Sequence, residues 1–191
     1  MSHRFDPARI ERLTAPDRAD WLQAGHVLEA LSLGPGMVVL DFGAGPGFFS
    51  LPIARRLGPT GGLVSADVEF EMLHALLRRA SAAGTDNIWP VLCDDRSLPL
   101  RDQSIDRVLL CLVLHELENS HTLLNEIGRV LRPGGQLVIV EWQPWQTERG
   151  PAVDERLAPE DVCWKLEAAG LCPNSLSVLG IHCYLQTANK A

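Results

Sequence analysis

Met37-Val-Val-Leu-Asp-Phe-Gly-Ala-Gly-Pro-Gly-Phe-Phe-Ser50 decides the fold. Val38 to Leu40 form a short apolar run of the kind that fills a strand covered on both faces, and Asp41 closes its carboxyl end. The glycines lead straight into a segment in which Phe49, Ile53, Ala54 and Leu57 recur at helical spacing. The reading is strand, tight loop, helix. Glycine permits positive φ and close backbone approach, so such a loop at a helix N-terminus lets a ligand sit against bare amides. Gly43, Gly45 and Gly47 are spaced G-x-G-x-G, whereas the dinucleotide fingerprint G-x-G-x-x-G requires glycine where Phe48 stands.

Working outward, Trp21, Ala24, Leu28 and Leu31 predict one or two helices over residues 7–33, ended by Gly34-Pro-Gly36. Beyond the glycine loop, Pro52 belongs in the first turns of its helix and 58–62 ends it. A second strand, 63–66, closes on Asp67, and a helix over 69–83 turns Met72, Leu73, Leu76 and Leu77 inward. Strands at 88–93, 108–114 and 136–141 follow, with an acid-rich loop at 94–106 and a helix over 120–131. Residues 143–157 carry acids and prolines without periodicity and read as a mobile loop or lid. A last helix spans 159–169 with Gly170 as its C-cap, and 175–178 with 182–187 make an antiparallel hairpin. The pattern predicts one α/β domain over 1–191. It has a mostly parallel seven-stranded sheet, helices on both faces, a C-terminal antiparallel hairpin and 1–33 as an N-terminal helical cover.

Hydrophobic content of 46% and charged content of 21% are those of a globular protein. The net charge of −7 without a basic run argues against nucleic acid and for a small-molecule partner. Met1 to Arg18 lacks a signal-peptide core, and no apolar run approaches the roughly 18–20 residues of a membrane span, so a cytoplasmic location without stable membrane insertion is expected. Five cysteines without C-x-x-C read as buried thiols, and the histidines show no metal-ligand spacing. Oligomeric state is not written in the pattern.

The acids that end the strands carry the chemistry. Asp67 stands where an open α/β sheet places a carboxylate against ribose hydroxyls, the alternative being a helix N-cap. Val68 and Met72 are placed to cover a base or to pack in the core. Asp94 can accept from an exocyclic amine, with Asp95 the more solvated neighbour. His115 and Glu116 follow the fourth strand, where histidine can act as a general base; Asn119 occupies the position at which a zinc-protease motif needs its second histidine. Glu141 and Trp142 end the fifth strand and are candidates to line a substrate pocket.

Taken together, Asp41-Phe-Gly-Ala-Gly-Pro-Gly47, Asp67, Cys93-Asp94 to Leu98-Pro99, Val113-Leu-His-Glu-Leu117 and Leu131-Arg-Pro-Gly-Gly-Gln-Leu137 resemble the ordered motifs of class I S-adenosylmethionine-dependent methyltransferases. Within that family the chain is similar to the small ubiquinone/menaquinone-type, methyltransferase type 11-like group. The resemblance implies a Rossmann-like fold and S-adenosyl-L-methionine as cofactor. It implies that Asp41 with Gly43, Ala44, Gly45 and Gly47 holds the methionine moiety, Asp67 the ribose and Asp94 the adenine. It also implies methyl transfer by in-line displacement to a small molecule; His115, from its place after the fourth strand, is the candidate catalytic base, the alternative being that it caps the next loop. Two alternatives stay open: an S-adenosylmethionine-binding module without transfer activity, and a nicotinamide-dependent oxidoreductase, the latter opposed by Phe48 and the terminal hairpin.

Overall fold

The computed structural model describes residues 7–191, with side chains from Ile10 onward, so His3 and the first six residues of the expected cover lie outside it. Seven strands form one sheet in the order β3-β2-β1-β4-β5-β7-β6. β1 (Val38–Phe42) lies at the centre and pairs in parallel with both β2 (Gly62–Asp67) and β4 (Ile105–Cys111). β3 (Ile88–Leu92) and β5 (Leu131–Trp142) extend the parallel part on either side. β7 (Cys183–Lys190) then joins β5 antiparallel and β6 (Leu171–Leu179) closes the edge. The expected mostly parallel sheet with a terminal hairpin is present.

Alternation across the pleat sends neighbouring side chains into two cores. Val39 and Val138 face α2 (Ala24–Ala30), α3 (Ser50–Leu57) and α4 (Phe70–Ala82), while Leu40 and Ile139 face α5 (Ser120–Val130) and α6 (Pro159–Ala168). Burial on both faces explains the uninterrupted apolar run in β1. The strand order reverses between β1 and β4, and such a switch opens a crevice at the carboxyl ends of the strands.

Local detail departs from the expected pattern in several places. The 7–33 region is a 3-10 turn (Pro7–Thr14), a single-turn α1 (Arg18–Trp21) and α2, because Gln23 adopts a left-handed φ of 47° between the helices. β4 ends at Cys111 rather than at 114: Leu112 turns left-handed at φ 59°, and Leu114–Glu116 form a 3-10 turn. β5 starts at Leu131, which pairs with Ile105 before the register shifts across the Arg132-Pro-Gly-Gly stretch. Of the cysteines, Cys183 is buried, Cys93, Cys111 and Cys163 are half-buried and Cys172, on the edge strand, is exposed, so the expectation of buried thiols is met in full only at Cys183. No helix among the described residues is long and apolar enough to cross a membrane.

Candidate functional site

Asp41 is the fourth residue of β1 and only 3% exposed. Its carboxylate accepts a 2.6 Å hydrogen bond from the Ser50 hydroxyl, which in turn accepts one from Ser65. Burial pushes the Asp41 carboxyl up to about 7, against the stabilising Ser50 bond.

The glycine loop does not present the bare amides expected of it. Gly43 and Ala44 both donate to the Ala66 carbonyl, Gly45 donates to Asp67 Oδ2 at 2.8 Å, and Gly47 donates to the Ala44 carbonyl. The loop is thus stitched to the end of β2, and its glycines supply space instead of donors. Gly43 has φ +72°, and a Cβ there would collide with the Val113 side chain. We expect Gly43→Ala to displace the loop from the turn after β4, lowering cofactor affinity by tenfold or more with a Tm drop of several degrees. Calorimetric titration and thermal melts check this; an unchanged affinity would contradict it. Gly47 does not line the cleft: a Cβ there would meet Leu76 at 2.9 Å, so its role is close packing against α4. Arg79 of α4 fixes the loop from the same side, donating to the Pro46 carbonyl at 2.5 Å.

The crevice is a single cleft of about 1820 Å³. Asp41, Gly43, Ala44, Gly45, Asp67, Val68, Met72, Asp94, Asp95, His115, Glu116 and Trp142 all line it, so five separate strand ends converge. Asp67 accepts from Gly45 and, through Oδ1, from Glu69 at 2.9 Å. Burial raises its pKa against these backbone bonds, and lone pairs on both oxygens are still available to hydroxyl donors. The helix N-cap reading of Asp67 does not hold: Glu69 is the N-cap of α4, without a side-chain cap bond, and Asp67 holds only the Glu69 amide that precedes the helix. Asp94 holds the Arg96 amide at 3.0 Å and is the more exposed of the acid pair, reversing the expected order with Asp95. Val68 is 39% exposed on the cleft wall, whereas Met72 is 3% exposed beneath it.

Across the cleft, the 3-10 turn after β4 carries His115. Its Nδ1 lies 2.8 Å from Glu141 Oε2, and its backbone amide donates to Oε1. Glu141 also accepts from the Trp142 amide and is 0% exposed, so it does not line the substrate pocket as expected; it lies behind His115. Burial lowers the His115 pKa, but Glu141, Glu116 and Glu155 together leave it raised. Glu116 is pushed up to about 7, chiefly by burial.

The expected N-terminal cover and the 143–157 loop both reach the cleft, through residues that the sequence did not single out. Arg12, Leu13 and Arg18 reach the cleft from one and Glu148, Arg149 and Pro151 from the other. Trp21 stacks on Trp142 with centroids 5.5 Å apart, and Arg18 and Arg149 approach Trp21 at 5.5 and 5.3 Å. Arg18 also stands 5.2 Å from the Phe48 ring centroid, and its Nε is buried without a hydrogen-bond partner. Arg156, 8% exposed, hydrogen-bonds the carbonyls of Gln143, Trp145, Arg149 and Pro151 and the Thr147 hydroxyl, tying the 143–157 loop into a closed turn.

Residues 40–139 match the family described as methyltransferase domain. The chain belongs to this family. A ubiquinone/menaquinone biosynthesis C-methyltransferase from Bordetella avium is 34% identical over 143 residues, covering 71% of this chain and 55% of the relative. The chain spans about half the length of the curated relatives it matches. A solved S-adenosylmethionine-dependent methyltransferase from Aquifex aeolicus superposes with a TM-score of 0.93 at 28% identity, covering 98% of this chain and 100% of that one. The cyclase SpnF shares the fold alone, with a TM-score of 0.78 at 20% identity over 91% of this chain and 81% of its own. The family's cofactor is S-adenosylmethionine, and the Rossmann-like expectation holds.

Proposed function

We propose that the chain, acting as one domain over 1–191, transfers the methyl group of S-adenosylmethionine to a small-molecule acceptor by in-line displacement. The observation that carries this reading is the convergence of Asp41, Asp67 and Asp94 on one wall of the cleft with His115 on the other. When bound, the cofactor supplies a methyl already activated by a positively charged sulfur. The residues fit that group. Asp67 would accept from ribose hydroxyls, Asp94 from the adenine amine and Asp41 from the methionine ammonium, while Arg18, which lines the cleft and whose Nε is buried without a hydrogen-bond partner, would take the carboxylate. Phe48 and Trp142, the latter backed by Trp21, then exclude water around the acceptor, and the protein's chief task is orientation.

The raised Asp41 carboxyl gives a pH test. Near its pKa of about 7 the ligand-free site is part protonated, and a cationic ammonium selects the ionised form. Cofactor affinity should therefore rise with pH from 6 to 8, by about tenfold, with proton release on binding. Titration calorimetry in buffers of different ionisation enthalpy reads both; a flat profile would exclude Asp41 from the cation site. The activity itself is tested by incubating the protein with methyl-labelled cofactor and a cell metabolite extract and identifying the labelled product. A cofactor-binding module predicts binding and no labelled product.

A further inference from the structure

His115 and Glu141 come from adjacent strands, β4 with its following turn and β5, and meet only because Cys111 pairs with Val140 in the sheet. The result is a buried carboxylate behind an imidazole that faces the cleft. Glu141 has no exposed surface, and all three of its hydrogen bonds go to the pair His115 and Trp142, two of them to His115 itself. A carboxylate next to Nδ1 makes Nδ1 the protonated nitrogen, which leaves Nε2 as the basic atom toward the cleft.

Resting on the methyl-transfer reading above, we propose that Glu141 is the positioning residue of a His115–Glu141 dyad, and that the acceptor is a molecule that must lose a proton. Its reacting atom is a hydroxyl oxygen, a thiol sulfur or an acidified carbon, not a tertiary amine or a thioether. In the step, His115 Nε2 takes the proton from the acceptor atom X. The X–CH3 bond forms as the methyl–sulfur bond breaks, and the bond pair stays on sulfur. A neutral acceptor and a neutral imidazole thus become a neutral methylated product and an imidazolium held against Glu141. Without the carboxylate, an imidazolium in this 8%-exposed setting would have no counter-charge directly behind it. The other acids facing His115 are Glu116 on its own turn and Glu155 from the 143–157 loop. Among the described residues, Glu141 is the acid that hydrogen-bonds the ring.

Nitrogen NMR of the His115 ring in the full chain, without ligand, tests the dyad independently of activity. Wild type should show the Nδ1–H tautomer and a titration above the ordinary histidine value of about 6.5. Glu141→Gln, which keeps shape and loses charge, should lower that titration by about one unit or more, and Glu116→Gln by less. An Nε2–H tautomer in wild type, or an unmoved titration in Glu141→Gln, would overturn the dyad. In the labelled-extract assay, the acid limb of the rate should move to lower pH in Glu141→Gln while the plateau falls about tenfold or more. A labelled product carrying a new sulfonium or quaternary ammonium would overturn the acceptor class. The absence of any labelled product, with the dyad intact by NMR, would instead overturn the methyl-transfer reading.

Discussion

Asp67→Ala should weaken S-adenosylmethionine binding by at least about a hundredfold. Two effects combine at this carboxylate. It tethers the glycine loop through Gly45 and holds the Glu69 amide just before α4, and it is proposed to accept the ribose hydroxyls. Hydrogen bonds to a charged group contribute about 1.5–3 kcal/mol each, and every 1.4 kcal/mol is tenfold in affinity. Loss of one ligand bond together with loosening of the loop therefore reaches about two decades. Asp67→Asn separates the effects: its amide oxygen can still accept from one backbone N–H, but its NH2 cannot accept from a second. It should lie between wild type and alanine. Titration with the cofactor, alongside thermal melts to confirm folding, gives the ordering; an alanine variant binding within twofold of wild type would remove Asp67 from the site.

The contrast between Asp67 and Glu141 shows which parts of the site are legible in the chain. Asp67 ends a short apolar run about 20 residues after a glycine loop, and each clue is local. Asp41 is legible for the same reason, as are the sheet's alternating units and the final hairpin. Glu141 is equally visible as an acid ending a strand, but its burial depends on the β4–β5 register and on the left-handed turn at Leu112, which brings His115 over it. Nothing in the sequence near Leu112 marks that turn, because a leucine at φ 59° is set by the surrounding structure and not by its own preference. Arg18 is hidden in another way. It lies on a single-turn helix whose pattern is that of an exposed surface, and only the packing of Trp21 on Trp142 carries it over the cleft. The bare-amide reading of the glycine loop failed because the Ala66 carbonyl and Asp67 reach it from β2, Asp67 lying 22 residues from Gly45.

Arg156→Ala should loosen the 143–157 segment while leaving the central sheet folded. One guanidinium serves four carbonyls and a hydroxyl, and it stands 5.9 Å from the Trp142 ring centroid. Gly150 completes the knot at φ +100°, where a Cβ would lie 2.9 Å from Trp142 and 3.0 Å from Arg156 Nη2. Truncation removes all the donors at once, and the carbonyls must then find water or another partner. With charged hydrogen bonds at about 1.5–3 kcal/mol and strong non-additivity, a local loss of roughly 3 kcal/mol is expected. That corresponds to about a hundredfold faster amide exchange wherever the loop's protection comes from local opening. Hydrogen exchange should show this in peptides covering 143–157 and not in those covering β1 or β4. Arg156→Lys should not rescue it, because a single ammonium cannot reproduce a planar fork that reaches carbonyls on several sides. Because Glu148, Arg149 and Pro151 line the cleft, acceptor turnover should fall about tenfold or more, while cofactor affinity, proposed to rest on Asp41 and Asp67 on strands outside the loop, should change less. Equal losses in cofactor affinity and turnover would mean that the loop braces the whole cleft, and unchanged exchange in the loop would mean that Arg156 is not what closes it.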